Sequence, residues 1–154
     1  MNTSETQTRL ANSGDAEQIT ALINVAFKGA ENFFVEGDRI DLKSVLELLE
    51  KGEFVIAEKQ DVMAGCVYIE PRGDRTYLGL LSVEPSRQQS GLGSLLMKAA
   101  EERCRERGDR FIDMPVVRIL LKRTGINKDT NPFQILQIER VANLPARTDQ
   151  FACF

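Results

Sequence analysis

Histidine is absent from the 154 residues of this chain. Without it there can be no Ser-His-Asp triad, no Cys-His pair and no histidine-ligated zinc. Cysteine is scarce: Cys66, Cys104 and Cys153 make an odd count with no CxxC pair. A disulfide framework is therefore not expected, and a reducing cytoplasm is the expected setting. Cys66 and Cys104 read as small buried hydrophobes. No apolar run approaches the roughly 20 residues a membrane helix needs. The polar N-terminal stretch has no apolar segment of the kind a signal peptide carries. The net charge of −3 argues against a general affinity for nucleic acid. Internal repeats, low-complexity tracts and long linkers are all missing.

What is present is the composition of a globular protein, 42% hydrophobic and 28% charged. The length fits one domain, 1–154, large enough to hold its own core. Residues 5–11 suit a short first strand. Over 16–27 the residues Ile19, Leu22, Ile23, Ala26 and Phe27 share one helical face. Asp15 is the expected N-cap there, with Gln18 as its capping-box partner and Gly29 as the stop signal. Residues 29–40 read as a loop whose adjacent Phe33 and Phe34 either cover the edge of the core or line a ligand site. A second helix is expected over 42–51. Asp41 caps it, Leu42, Val45, Leu46 and Leu49 make its stripe, and Gly52 ends it.

The period then changes. Segments 54–58, 64–69 and 76–83 are short, rich in Val, Ile, Tyr and Phe, and separated by turn residues, which predicts an antiparallel meander. A helix is expected from about Leu92 to Gly108, with Leu92, Leu95, Leu96, Ala99, Ala100 and Cys104 on its apolar stripe. Residues 111–117 read as a further strand, 133–141 as a weaker one and 150–154 as a last one. The order β-α-α-β-β-β-α-β predicts an α/β (α+β mixed sheet) domain covered by helices.

Between the third meander strand and the helix lies a turn holding Gln88-x-x-Gly91-x-Gly93, with Arg87 beside it. A helix N-terminus presents unpaired N–H groups and about half a positive elementary charge. Glycines let the backbone approach a bulky anion, so the turn is suited to a phosphate or pyrophosphate. Equally, Gly91 and Gly93 can serve only a tight strand-to-helix connection. The turn is neither a Walker A loop nor a GxGxxG fingerprint.

Val83-x-Pro85-x-x-Gln88-x-x-Gly91-x-Gly93, placed after a three-strand meander and before an amphipathic helix, resembles motif A of the GNAT N-acetyltransferase superfamily. The resemblance runs over about 6–117 and includes Arg9-Leu10-Ala11 before Asp15-Ala16, and Val55-Ile56-Ala57-Glu58 before Gly65-Cys66-Val67-Tyr68. It implies a GNAT acyl-CoA N-acyltransferase-like fold and acetyl-CoA as co-substrate, with no metal. The pyrophosphate would rest on the amides of Gln88, Gln89, Ser90, Gly91, Leu92, Gly93 and Ser94. The pantetheine arm would pair with Leu81, Ser82 and Val83, and an N–H near Val83 would polarise the thioester carbonyl. The implied reaction is direct attack by a primary amine of a small molecule or peptide, with a base to take a proton. Glu70 and Glu84 are the candidate bases, each equally readable as a solvated turn carboxylate. Tyr68 and Tyr77 can donate a hydrogen bond or serve as ordinary strand aromatics. Phe33 and Phe34 are candidates for the acceptor wall. Relatives in the family are often homodimers.

The chain departs from the family after its fifth strand. Relatives carry a Tyr-x-x-x-Gly-[FY] element whose Tyr protonates the leaving thiolate. Here Gly125-Ile126 resembles the Gly-[FY] pair and Leu121 stands in the Tyr position. Only the seven residues 118–124 separate strand from glycine, too few for a loop and a full helix at about 3.6 residues per turn. The tail 118–154 is thus either a divergent functional ending or an altered one. A catalytically silent CoA-binding module of the same fold is the alternative to an enzyme.

Overall fold

The computed structural model describes residues 5–30 and 38–114. Strand β1 (Gln7–Leu10) leads through one 3-10 turn, Ser13–Asp15, into helix α1 (Ala16–Ala30), followed by α2 (Leu42–Lys51). Strands β2 (Glu53–Lys59), β3 (Val62–Arg72) and β4 (Arg75–Val83) form the meander. A 3-10 turn, Pro85–Arg87, then precedes α3 (Leu92–Arg107) and strand β5 (Phe111–Asp113). The five strands make one sheet in the order β1-β2-β3-β4-β5. Neighbours are antiparallel except β4 and β5, which run parallel.

Local chemistry explains most boundaries. Asp41 caps α2 by accepting the Ser44 N–H at 2.7 Å. Gly108 closes α3 with a φ of 79° that its missing Cβ permits. At the β2–β3 hairpin Gln60 and Asp61 both take positive φ, 54° and 59°, as a two-residue type I′ turn requires. Two expectations at α1 are corrected. The capping box is Asn12 with Asp15, not Asp15 with Gln18: the Asn12 side chain accepts from Gly14 and the Asp15 carboxylate from the Asn12 N–H. Gly29 does not stop the helix, which continues to Ala30.

Helices cover both faces of the sheet. Ile19, Leu22 and Ile23 of α1 and Val45 of α2 pack with Phe54, Ile56, Cys66 and Tyr68 on one face. On the other, Leu92, Leu96, Met97 and Ala100 of α3 pack with Val55, Val67, Ile69, Leu78 and Val83. The α2 stripe is rotated from the expected one: Val45, Leu48 and Leu49 turn inward, while Leu42 and Leu46 are each 39% exposed. Arg103 of α3 donates two bonds of 2.9 Å to the Glu53 carboxylate, tying the helix to the start of β2. Phe33, Phe34, Leu121, most of 111–117 beyond Met114, and the strands expected at 133–141 and 150–154 lie outside the described residues.

Candidate active site

The site is built from the end of β4, the turn after it and the first residues of α3. Strand β4 is irregular. Cys66 pairs with Ser82 and Tyr68 with Gly79, so Val67 faces both Leu80 and Leu81. The extra residue is a β-bulge, with Leu80 at a φ of 53° and its carbonyl accepting the Ser82 hydroxyl at 3.0 Å. It reverses the phase of the strand. Leu78, Leu81 and Val83 face α3, whereas Tyr77 and Leu80 face α1 and α2.

Pairing between β4 and β5 covers only Arg75 with Phe111, Thr76 with Ile112 and Tyr77 with Asp113. Beyond Tyr77, β4 has no partner on that side among the described residues. Leu81, Ser82 and Val83 lie beyond that pairing, at the end of β4 that runs into the turn.

The turn is held from below. The Glu84 N–H donates to the Ala64 carbonyl at 2.8 Å and the Gln88 side-chain amide to the Val83 carbonyl at 3.4 Å. The Ser90 hydroxyl donates to the Arg87 carbonyl. Gln89 and Gly91 take φ values of 63° and 85°, and successive backbone N–H groups in a turn of this kind form an anion-binding concavity. Gly91 caps α3 without a side chain, and the first intrahelical bond recorded at this end is Leu95 N–H to the Gly91 carbonyl at 3.0 Å. The amides of Leu92, Gly93 and Ser94 thus belong to the first turn, which lacks intrahelical acceptors. A Cβ at Gly91 would meet nothing within 4 Å, so space lies open above it.

Beside the turn is a half-open pocket of about 490 Å³, where Ser86, Arg87 and Ser90 face Thr6, Lys59 and Gln60, with Leu92 completing the wall. Neither Lys59 nor Arg87 has an ion-pair partner among the described residues. Two cations, three hydroxyls and a helix N-terminus make this region suited to phosphate groups. Among the described residues no group of His, Cys, Asp and Glu side chains is arranged to hold a metal ion. Nor is any helix there long and apolar enough to cross a membrane.

The two candidate bases are at opposite ends of the strands. Glu84 follows Val83, and its carboxylate accepts the Ser86 hydroxyl. Glu70 stands opposite Tyr77. It accepts from Arg72 Nε at 2.9 Å and lies 2.9 Å from the Tyr68 hydroxyl. The Arg72 guanidinium, more than the phenol, holds the Glu70 carboxyl below its usual range. Burial raises the Tyr68 phenol, and the neighbouring Glu70 carboxylate raises it further. The bulge at Leu80 and the cation Lys59 were not expected from the sequence. Leu carries no propensity for positive φ, and a lysine at a hairpin turn gives no signal of a distant loop.

The acetyltransferase (GNAT) family model matches residues 17–118, across both helix-bearing faces and the turn. The chain belongs to the GNAT acetyltransferase family. The fold agrees with solved structures of that family. PaiA N-acetyltransferase from Thermoplasma acidophilum, crystallised with coenzyme A, superposes with a TM-score of 0.67 at 15% identity, over 84% of this chain and 94% of that one. A GNAT family acetyltransferase from Brucella melitensis in complex with acetyl-CoA gives 0.61 at 20% identity, over 92% of each chain. The ribosomal-protein-S18-alanine N-acetyltransferase of Escherichia coli gives 0.63 at 16%, over 82% and 80%. Among curated protein sequences none matches significantly. This GNAT chain therefore has the mixed α/β fold expected from its order of elements.

Proposed function

We propose that the protein binds acetyl-CoA and transfers its acetyl group to a primary amine of a small molecule or peptide by direct attack. The observation that carries this reading is the left-handed Gln89 and Gly91 in the turn that joins the end of β4 to the start of α3. The pyrophosphate would rest on the amides from Gln88 to Ser94, with Arg87 and Lys59 supplying charge for the phosphates. The pantetheine arm would pair along Leu81, Ser82 and Val83. The family membership and the coenzyme A and acetyl-CoA complexes of structural neighbours support the same co-substrate.

Glu84 is the better of the two candidate bases. Glu70 is engaged by Arg72 and held ionised at low pH, which makes it a weak proton acceptor. Phe33 and Phe34, in the segment between α1 and α2, are proposed to wall the acceptor. A second reading, a CoA-binding module without turnover, is favoured by two features of the sequence: Leu121 in place of a tyrosine, and only seven residues, 118–124, where relatives carry a loop and a helix. Calorimetry with CoA, followed by thiol release from acetyl-CoA across an amine panel, separates the two. Binding with release above background supports the enzyme, and binding without release supports the silent module. No binding at all overturns both.

A further inference from the structure

Alternation along β2 decides where its last residue points. Val55 and Ala57 pack on the α3 side of the sheet, and Phe54 and Ile56 on the α1 and α2 side. The irregularity between β2 and β3 puts the extra residue, Ala64, on β3, so the alternation of β2 runs on unbroken. Glu58 therefore belongs to the α1 side, where Arg9 Nε donates to it at 2.9 Å. Lys59 belongs to the α3 side, at the pocket beside the turn. The acids closest to it leave its charge uncompensated. Glu58 is taken by Arg9 across the sheet, Glu84 accepts the Ser86 hydroxyl, and Asp61 in the adjoining turn forms no ion pair with it.

The pocket has two walls of different origin. Ser86, Arg87 and Ser90 come from the turn that carries the anion-binding amides, whereas Thr6 and Lys59 come from the approach to β1 and the end of β2. Its volume of about 490 Å³ is that of a site for a small molecule rather than for one phosphate. A diphosphate on the amides leaves Lys59, on the far wall, available to a second anionic group of the same ligand. Coenzyme A carries two such groups on one ribose, the diphosphate on the 5′ carbon and a phosphomonoester on the 3′ carbon.

We infer that Lys59 recognises the 3′-phosphate of coenzyme A, with the Thr6 hydroxyl as a second donor, and so sets a preference for CoA over its 3′-dephosphorylated form. The inference rests on the acetyl-CoA reading above and adds to it the group that selects the ligand. A phosphomonoester carries about −1.5 to −2 charge at pH 7, and an ammonium meets it as a compact point charge. Arg87 and the turn amides stay with the diphosphate, which both forms of the ligand share.

Calorimetry with CoA and with 3′-dephospho-CoA, on the full chain at low salt, tests this. The wild-type protein is expected to bind CoA about tenfold to a hundredfold more tightly than dephospho-CoA. Lys59→Met keeps most of the aliphatic stem and removes the ammonium. It should lose most of that preference by weakening CoA much more than dephospho-CoA, with an unchanged melting temperature. Lys59→Arg keeps the charge and should keep the preference. Equal loss of both ligands in Lys59→Met overturns the assignment, because the lysine would then serve the diphosphate. So does a preference that Lys59→Met leaves intact. A wild-type protein that binds both ligands alike removes the role of Lys59 and leaves the acetyl-CoA reading standing. One that binds neither overturns that reading, and the role of Lys59 with it.

Discussion

Arg75 and Asp113 form a two-pronged ion pair, Nη2 to Oδ1 at 2.6 Å and Nε to Oδ2 at 2.8 Å, across the short stretch where β4 and β5 run side by side. The arginine holds the Asp113 carboxyl below its ordinary range. A carboxyl lowered on folding contributes stability that is present above its unfolded value of about 3.9 and fades as pH falls through the folded one. The protection of the amides at residues 111–113, measured against their intrinsic exchange at each pH, is expected to fall below about pH 4. Arg75→Met should make those amides exchange faster at neutral pH and remove most of the acid dependence. Unchanged protection in the variant would mean that β5 is held by other contacts.

Gly91→Glu addresses the co-substrate. The position has a φ of 85° and open space around a Cβ, so the variant is expected to fold with a loss of about 1–2 kcal/mol for the left-handed conformation. The carboxylate would meet the pyrophosphate in the nest, and CoA should no longer raise the melting temperature. Normal CoA binding by a folded Gly91→Glu protein would contradict the assignment of the loop.

Tyr68 is 1% exposed, and its one hydroxyl proton serves either the Leu48 carbonyl at 3.1 Å or the Glu70 carboxylate at 2.9 Å. It links α2 to the centre of the sheet. Tyr68→Phe should cost about 1–2 kcal/mol in denaturant titration, because acceptors buried around the ring lose their donor. A change of a few tenths would show that water replaces the phenol.

Burial pushes the Cys66 thiol up to about 12 and raises that of Cys104 as well. In a Cys153→Ser background, neither remaining thiol should react with a disulfide reagent until the protein unfolds. Fast labelling of a native thiol would indicate local opening of the sheet or of α3.

The sequence made the fold legible where one residue decides one local event. Asp41 and Gly108 mark helix ends by chemistry that acts within a few residues, and the apolar alternation of 54–83 reports three strands directly. Where tertiary packing chooses, the pattern misled. The α3 stripe was expected to include Leu95, but Met97 is buried and Leu95 is only partly so, because contact with three strands rotates the buried face. Asp15 looks like a cap, yet it is claimed by Arg9 at 2.8 Å and by the Asn12 N–H, a long side chain from β1 that no local rule anticipates. The turn from Pro85 to Ser94 was readable because glycine and proline restrict the backbone. Leu80 was not, since its left-handed conformation is imposed by its neighbours.

The bulge at Leu80 makes β4 a strand whose two ends obey opposite parities. Before it, even-numbered positions point to α3, and after it odd-numbered ones do. Shortening β4 by a single residue would restore a regular ladder and swing Val83, with the turn it anchors, to the wrong side. The length of this strand is consequently under tighter constraint than its composition: away from the left-handed Leu80, Leu, Ile or Val can trade places along it, whereas the count between Tyr77 and Val83 cannot change.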